Sequence, residues 1–324
     1  MRLINVVFTV CCLLSLQIPI AEAATSHTLK GLVITPDGTV VPKFSVVVKH
    51  VSEKPELVRR RQFKDGEFTV DGLPKGKYQV QISAPQFIST KLIFDFNDPS
   101  RETDYSIIIL HPYRNEARLT PGAAYSVSLK VLQQKIPDAA LQAYKKGVEL
   151  HREGKLEDAL IQYGQALRSD PQYLEALTDI GTILLLYNRP EAALSYLRRA
   201  QAIDDTNPII NLNIAVALTE QADYGGALKL LKEVLHREPH MAFAQYFVAK
   251  IHYLQKKYDQ AELNVREAIE NDPGLLDALV LMINISIEQK NFDQAREALK
   301  RIREAMHNQK VTKFINEQLS VLGS

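Results

Sequence analysis

Residues 174–207, LEALTDIGTILLLYNRPEAALSYLRRAQAIDDTN, and residues 208–241, PIINLNIAVALTEQADYGGALKLLKEVLHREPHM, match in pattern at a fixed offset of 34 positions. Ala193 and Ala227 hold the same place in the two stretches, and Ala159, Ala261 and Ala295 continue the series on either side. Leu156, Pro190, Tyr224, Tyr258 and Phe292 recur just ahead of those alanines, and Gly147, Gly181, Ala215, Ala249 and Ile283 form a second small or apolar series. A strict period of this size signals a solenoid, in which each unit buries its apolar face only against its neighbours.

Later in each unit come Tyr163, Leu197, Leu231, Val265 and Leu299, then Ala166, Ala200, Val234, Ala268 and Ile302. The frame predicts five units, 140–173, 174–207, 208–241, 242–275 and 276–309, with Pro137-Asp138 opening the first helix. Val311, Phe314, Ile315 and Leu319 share one helical face, so residues 310–324 are expected to form a capping helix. The pattern resembles the tetratricopeptide repeat (TPR), a helix-turn-helix unit whose small residues let two antiparallel helices approach closely. The large aromatic residue usual near the start of its first helix is replaced here by Ala143, Leu177, Asn211, Gln245 and Leu279. The resemblance implies a concave groove lined by the first helices, and so a partner-binding row of Tyr144, Leu212, Val216, Phe243, Tyr246, Lys250, Tyr253 and Asn284. Phe243, Tyr246 and Tyr253 fall at spacings of three and seven, which places them on one side of their helix.

Ahead of the repeats, short β-rich runs alternate with turn residues at the spacing of an all-β sandwich. The runs are 28–35, 44–51, 57–63, 67–70, 77–84, 87–96 and 104–110, separated by turns such as Pro36-Asp37-Gly38 and Asp65-Gly66. Tyr78, Val80 and Ile82 alternate with Lys77, Gln79 and Gln81, which predicts one buried and one wet face. Gly31, Gly38 and Pro42, followed by Gly66, Phe68, Gly72, Leu73, Pro74, Gly76 and Tyr78, resemble the carboxypeptidase regulatory-like domain. That resemblance implies a seven-stranded transthyretin-like sandwich over residues 25–112, an accessory domain with no catalytic residues of its own. The expected fold class is therefore multidomain α and β, a sandwich followed by an α-helical solenoid. Residues 113–139 read as a linker with a further strand-like run at Tyr125–Val131, and its Pro and Gly content predicts that few contacts cross between the halves.

Arg2, the apolar run Ile4–Leu16 and Ala21-Glu22-Ala23 form the pattern of a secretory signal peptide over residues 1–23, with a retained anchor as the alternative. Export to the periplasm or cell envelope, or secretion, is the resulting expectation, with the membrane involved only through this signal. Both cysteines of the 324-residue chain, Cys11 and Cys12, lie inside that segment. The rest therefore offers no thiol nucleophile, disulfide or cysteine metal ligand. A net charge of +1 gives the whole molecule no electrostatic nucleic-acid footprint.

The candidate chemical motifs favour ordinary structure. Gly72–Lys77 spells G-x-x-x-G-K, one residue short of a P-loop and followed by Tyr78 rather than Ser or Thr. His236 and His240 are four apart, but Pro239 ends the helix between them, and Asp95, Asn97, Asp98, Glu102 and Asp104 lack the glycine that bends a calcium loop. Arg59, Arg60 and Arg61 are expected to guard an edge strand. No enzyme, cofactor, metal, nucleic acid or small-molecule substrate is expected. The sequence favours a scaffold that binds a protein or peptide in the groove. The alternative is a carbohydrate-binding envelope protein acting through the sandwich, which the absence of Trp weakens; a hydrolase would need an acid, base and nucleophile that no motif supplies.

Overall fold

Period-two alternation sends the first half into strands and the 34-residue period sends the second into helix pairs. The computed structural model describes residues 26–51, 57–85, 87, 89–97, 103–111, 136–306 and 308–322. Residues 1–23 and the run Tyr125–Val131, on which the signal and extra-strand expectations fall, lie outside the described residues. The strands are β1 (His27–Ile34), β2 (Lys43–His50), β3 (Leu57–Lys64), β4 (Glu67–Leu73), β5 (Lys77–Ser83), β6 (Thr90–Asp95) and β7 (Thr103–Ile109). They form a three-stranded sheet, β4-β1-β7, and a four-stranded sheet, β3-β2-β5-β6. Neighbours run antiparallel except β1 and β7, which run parallel.

Tyr78, Val80 and Ile82 turn into the space between the sheets with Leu29, Val33, Phe44, Phe68, Phe96 and Leu110. The Tyr78 hydroxyl donates to the Pro74 carbonyl at 3.0 Å, which satisfies the one polar atom the buried ring brings with it. The arginine run lies on β3, an outermost strand of its sheet, as expected. Arg60 sits opposite Val47 on one face while Arg61 reaches Asp71 at 3.9 Å on the other. Asp95 closes a turn by accepting from the Asn97 amide at 3.1 Å and pairs with Lys77 at 3.2 Å.

The helices are α1 (Asp138–Arg152), α2 (Leu156–Ser169), α3 (Leu174–Leu186), α4 (Pro190–Ile203), α5 (Pro208–Glu220), α6 (Tyr224–Arg237), α7 (Ala242–Leu254), α8 (Tyr258–Asn271), α9 (Leu276–Glu288), α10 (Phe292–Ala305) and α11 (Gln309–Leu322). The alanine series, Ala159, Ala193, Ala227, Ala261 and Ala295, is fully buried. Paired helices meet where the first contributes almost no side chain. A Cβ added at Gly147 would lie 2.5 Å from Tyr163, and one at Gly181 would lie 2.5 Å from Leu197. Those two approaches are open only to glycine.

Each pair turns through one left-handed residue: Gly154 (φ 76), Asn188 (φ 54), Ala222 (φ 61), Lys256 (φ 59) and Lys290 (φ 59). The next amide reaches back five residues, as from Asp223 to the Leu218 carbonyl at 2.9 Å and from Asn291 to that of Ser286 at 2.8 Å. This is the Schellman closure, and four of the five units hold it without the glycine that favours it.

Two substitutions test the packing in opposite directions. Ala222→Gly removes the left-handed strain and should raise unfolding stability by roughly 0.5–1 kcal/mol. Ala227→Leu overfills the helix–helix contact and should cost about 1–3 kcal/mol. Urea melts followed by circular dichroism measure both; a destabilised Ala222→Gly chain would remove the strain argument.

Candidate interaction groove

The first helices of successive units touch one another, α3 with α5, α5 with α7 and α7 with α9, while no comparable contact joins successive second helices. The first helices therefore lie on the inner side of the curve. Tyr144, Phe243, Tyr246, Tyr253, Val216, Lys250 and Asn284 are half-buried on them. Phe243 and Tyr246 lie 5.7 Å apart by ring centroid, and Lys250 sits 5.3 Å over the Phe247 ring while pairing with Glu220 at 3.2 Å. Burial raises the Tyr246 hydroxyl well above the ordinary tyrosine range, helped by the carboxylates of Asp277 and Glu220. Leu212 departs from the expected row. It is 1% exposed and belongs to the repeat core, because α5 is apolar on nearly every side and is flanked by α3 and α7.

The N-terminal end of the inner face is built around an acid. Tyr144 donates to Asp179 at 2.9 Å, and its ring lies 5.4 Å from Tyr163 and 4.9 Å from Tyr173. Burial pushes the Asp179 carboxyl up to about 6, although the hydroxyls of Tyr144 and Tyr163 pull it the other way; Glu175 adds to the rise. Burial also raises the hydroxyls of Tyr144 and Tyr163, pushes that of Tyr173 up to about 12, and lowers His151. His151 meets Tyr163 at 3.3 Å. Asp179 carried no sequence signal beyond being, with Glu175, one of two acids in an otherwise apolar helix.

The C-terminal end is occupied. Leu32, Ile34, Ile107 and Ile109 point away from the sandwich core and join the apolar cluster of the last repeats. Phe243, Tyr246, Tyr253, Val280 and Ile287 pack against the same cluster. β7 lies against α9, and His111, just past β7, meets Asp277 in the first turn of α9 at 3.1 Å. Lys310 of α11 reaches Asp65 in the β3–β4 turn at 3.7 Å. The expectation that few contacts cross between the halves is thus corrected. The four aliphatic side chains are each at most 9% exposed, an upper estimate of about 1.5–3 kcal/mol apiece. Near repeats 2 and 3 the two domains together line a cleft of about 410 Å³, formed by Gln79, Lys91, Ile93, Asn188, Pro190, Glu191 and Glu220.

His236 lies in the last turn of α6, and His240 lies beyond that helix, where its Nδ1 meets Asn271 at 3.0 Å. Among the described residues no group of three or more His, Cys, Asp or Glu could hold a metal.

Residues 28–108 match the carboxypeptidase regulatory-like domain, and residues 144–208, 184–245, 218–263 and 253–312 match tetratricopeptide repeat families. The BBSome complex member bbs-4 of Caenorhabditis elegans is 25% identical over 186 residues, covering 57% of this chain and 39% of that protein. This chain thus spans about two fifths of that relative. Among solved structures, the type IV pilus biogenesis factor PilW is 22% identical with a TM-score of 0.48 over 54% of this chain and 81% of that one. MamA from Desulfovibrio magneticus RS-1 is 17% identical with a TM-score of 0.46 over 57% and 99%.

Asp179 makes a signed pH prediction. Its folded-state proton affinity exceeds the unfolded value of 3.8, so between about pH 4 and 6 the folded chain holds a proton that the unfolded chain has lost. The resulting stability is fully present below pH 4 and is lost as pH rises through 6. Asp179→Asn should therefore gain about 1–3 kcal/mol over the parent on going from pH 4.5 to pH 7.5. Parallel melting curves at the two pH values would show that the carboxyl does not titrate in this window.

Proposed function

From a chain that belongs to the tetratricopeptide repeat family and carries a carboxypeptidase regulatory-like domain ahead of its repeats, we propose an exported interaction scaffold that receives a polypeptide on the inner face of the first helices. The general role, a protein-interaction scaffold, follows from the repeats. The observation that supports the inner face as the site is its row of half-buried aromatic and apolar side chains, from Tyr144 through Val216 to Tyr246. Side chains of this kind concentrate interface energy when a partner completes their burial. The outer face offers only scattered apolar groups such as Ile161 and Leu263. The sandwich gives the carbohydrate reading little: Phe44, Phe68, Tyr78, Phe94 and Phe96 are buried, leaving their ring faces unavailable for stacking on a sugar.

A photo-crosslinking amino acid placed at Val216 should capture a discrete protein partner in cells, while the same group at Leu263 on the outer face should not. Adducts confined to Leu263 would move the site off the groove.

Export is supported by the pattern of residues 1–23. N-terminal sequencing of the protein recovered from the cell envelope should read from Ala24 or Thr25. A membrane-extracted species that begins at Met1 would instead establish an anchor.

A further inference from the structure

The outward row of β1 and β7 would be an exposed aliphatic patch on a free sandwich; in this chain the last repeats bury it. We propose that the sandwich is a built-in occupant of the C-terminal half of the groove, which a protein partner of repeats 4 and 5 must displace. This rests on the groove reading above and adds its regulation and the chemistry that is recognised.

Three observations carry it. Leu32, Ile34, Ile107 and Ile109 stand on two parallel strands and share one cluster with residues of the last two repeats, while Phe243, Tyr246, Tyr253 and Val280 pack against it from the inner face. β7 also lies against α9, the first helix of the fifth unit, so that end of the groove receives an aliphatic row presented on extended backbone. Second, the sandwich core draws no residue from the repeats, so undocking leaves that core intact. Third, the sandwich is docked at the last repeats and lines an open cleft elsewhere. That cleft lies beside Glu191 and Glu220, and the ion pair from Lys310 to Asp65 at the docked rim is substantially exposed, which makes it a weak latch. A tethered occupant held in this way competes at an effective concentration near millimolar, so even a weak contact masks the site.

The probe is the separately expressed sandwich, residues 26–111, whose core is wholly its own. The full chain carrying Ile107→Asp and Ile109→Asp should release its own sandwich, increase its radius of gyration and bind the probe. The unmodified chain should bind the probe at least about tenfold more weakly, as competition from a millimolar tethered occupant requires for a contact of about 0.1 mM. A second variant covers a misfolded aspartate chain. Cysteines replacing His111 and Asp277, in a chain with Cys11→Ser and Cys12→Ser, are bridged by a short bis-maleimide; the bridged chain should lose binding at least tenfold against its unbridged form. Equal probe affinity across these pairs overturns the proposal, as does an opened chain that binds no probe. Binding that survives Val280→Asp in the opened chain overturns it too, by placing the contact outside the groove. Failure of the groove reading shows separately, in the Val216 crosslinks.

Discussion

The spacing between paired helices governs everything on the inner face. Where the first helix offers Gly147 or Gly181, the second brings Tyr163 or Leu197 to a distance that no Cβ could share. Ala215 and Ala249 keep the equivalent places small in the third and fourth units, Ile283 departs in the fifth, and the buried alanine series sets the spacing from the other helix in all five. The first helices then touch from unit to unit and the second helices splay, which is what curves the array. A groove lined by Tyr144, Val216 and Tyr246 is a consequence of that curvature, and so is the burial of Leu212 at its midpoint.

Curvature alone does not explain why β1 and β7 are apolar on both faces. In an open sandwich one face of each strand is wet, and β5 obeys that rule. β1 breaks it over Leu32-Val33-Ile34, and β7 over Ile107-Ile108-Ile109, because Val33 and Ile108 fill the sandwich while their neighbours fill the repeats. Strands covered on both sides are the usual setting for parallel pairing, and β1 and β7 are the one parallel pair among the described strands.

Much of this was legible in residues alone. The period, the helix pairs, the strand positions and the edge arginines all follow from local patterns that survive in any tertiary setting. The left-handed turns did not announce themselves, because Asn188, Ala222, Lys256 and Lys290 stand where glycine would have given the signal and the hydrogen-bonded closure supports the strain. Docking of the halves was hidden for a different reason. The linker composition spoke for independence, whereas the continuous run Ile107–Leu110 already required cover on two sides. Leu212 was misplaced because a fixed position within a repeat does not record how deeply the array folds over it.

Docking also changes what the end of the array is. In a solenoid each unit is stabilised by its neighbours, and the last one lacks a neighbour on its outer side. Here α11 covers part of that end through Val311, Phe314 and Ile315, and the sandwich row joins the same cluster together with Met306. Gly38, in the turn after β1, lies so close to Met306 that an added Cβ would come within 2.1 Å of its sulfur. The sandwich is thus continuous with the C-terminal cap. Undocking it therefore strips apolar contacts from the unit least able to lose them, so exposure of the groove and loosening of the last repeat are linked through one shared cluster. The N-terminal end, with its Tyr144–Asp179 network, lies in a different cluster and does not share that dependence.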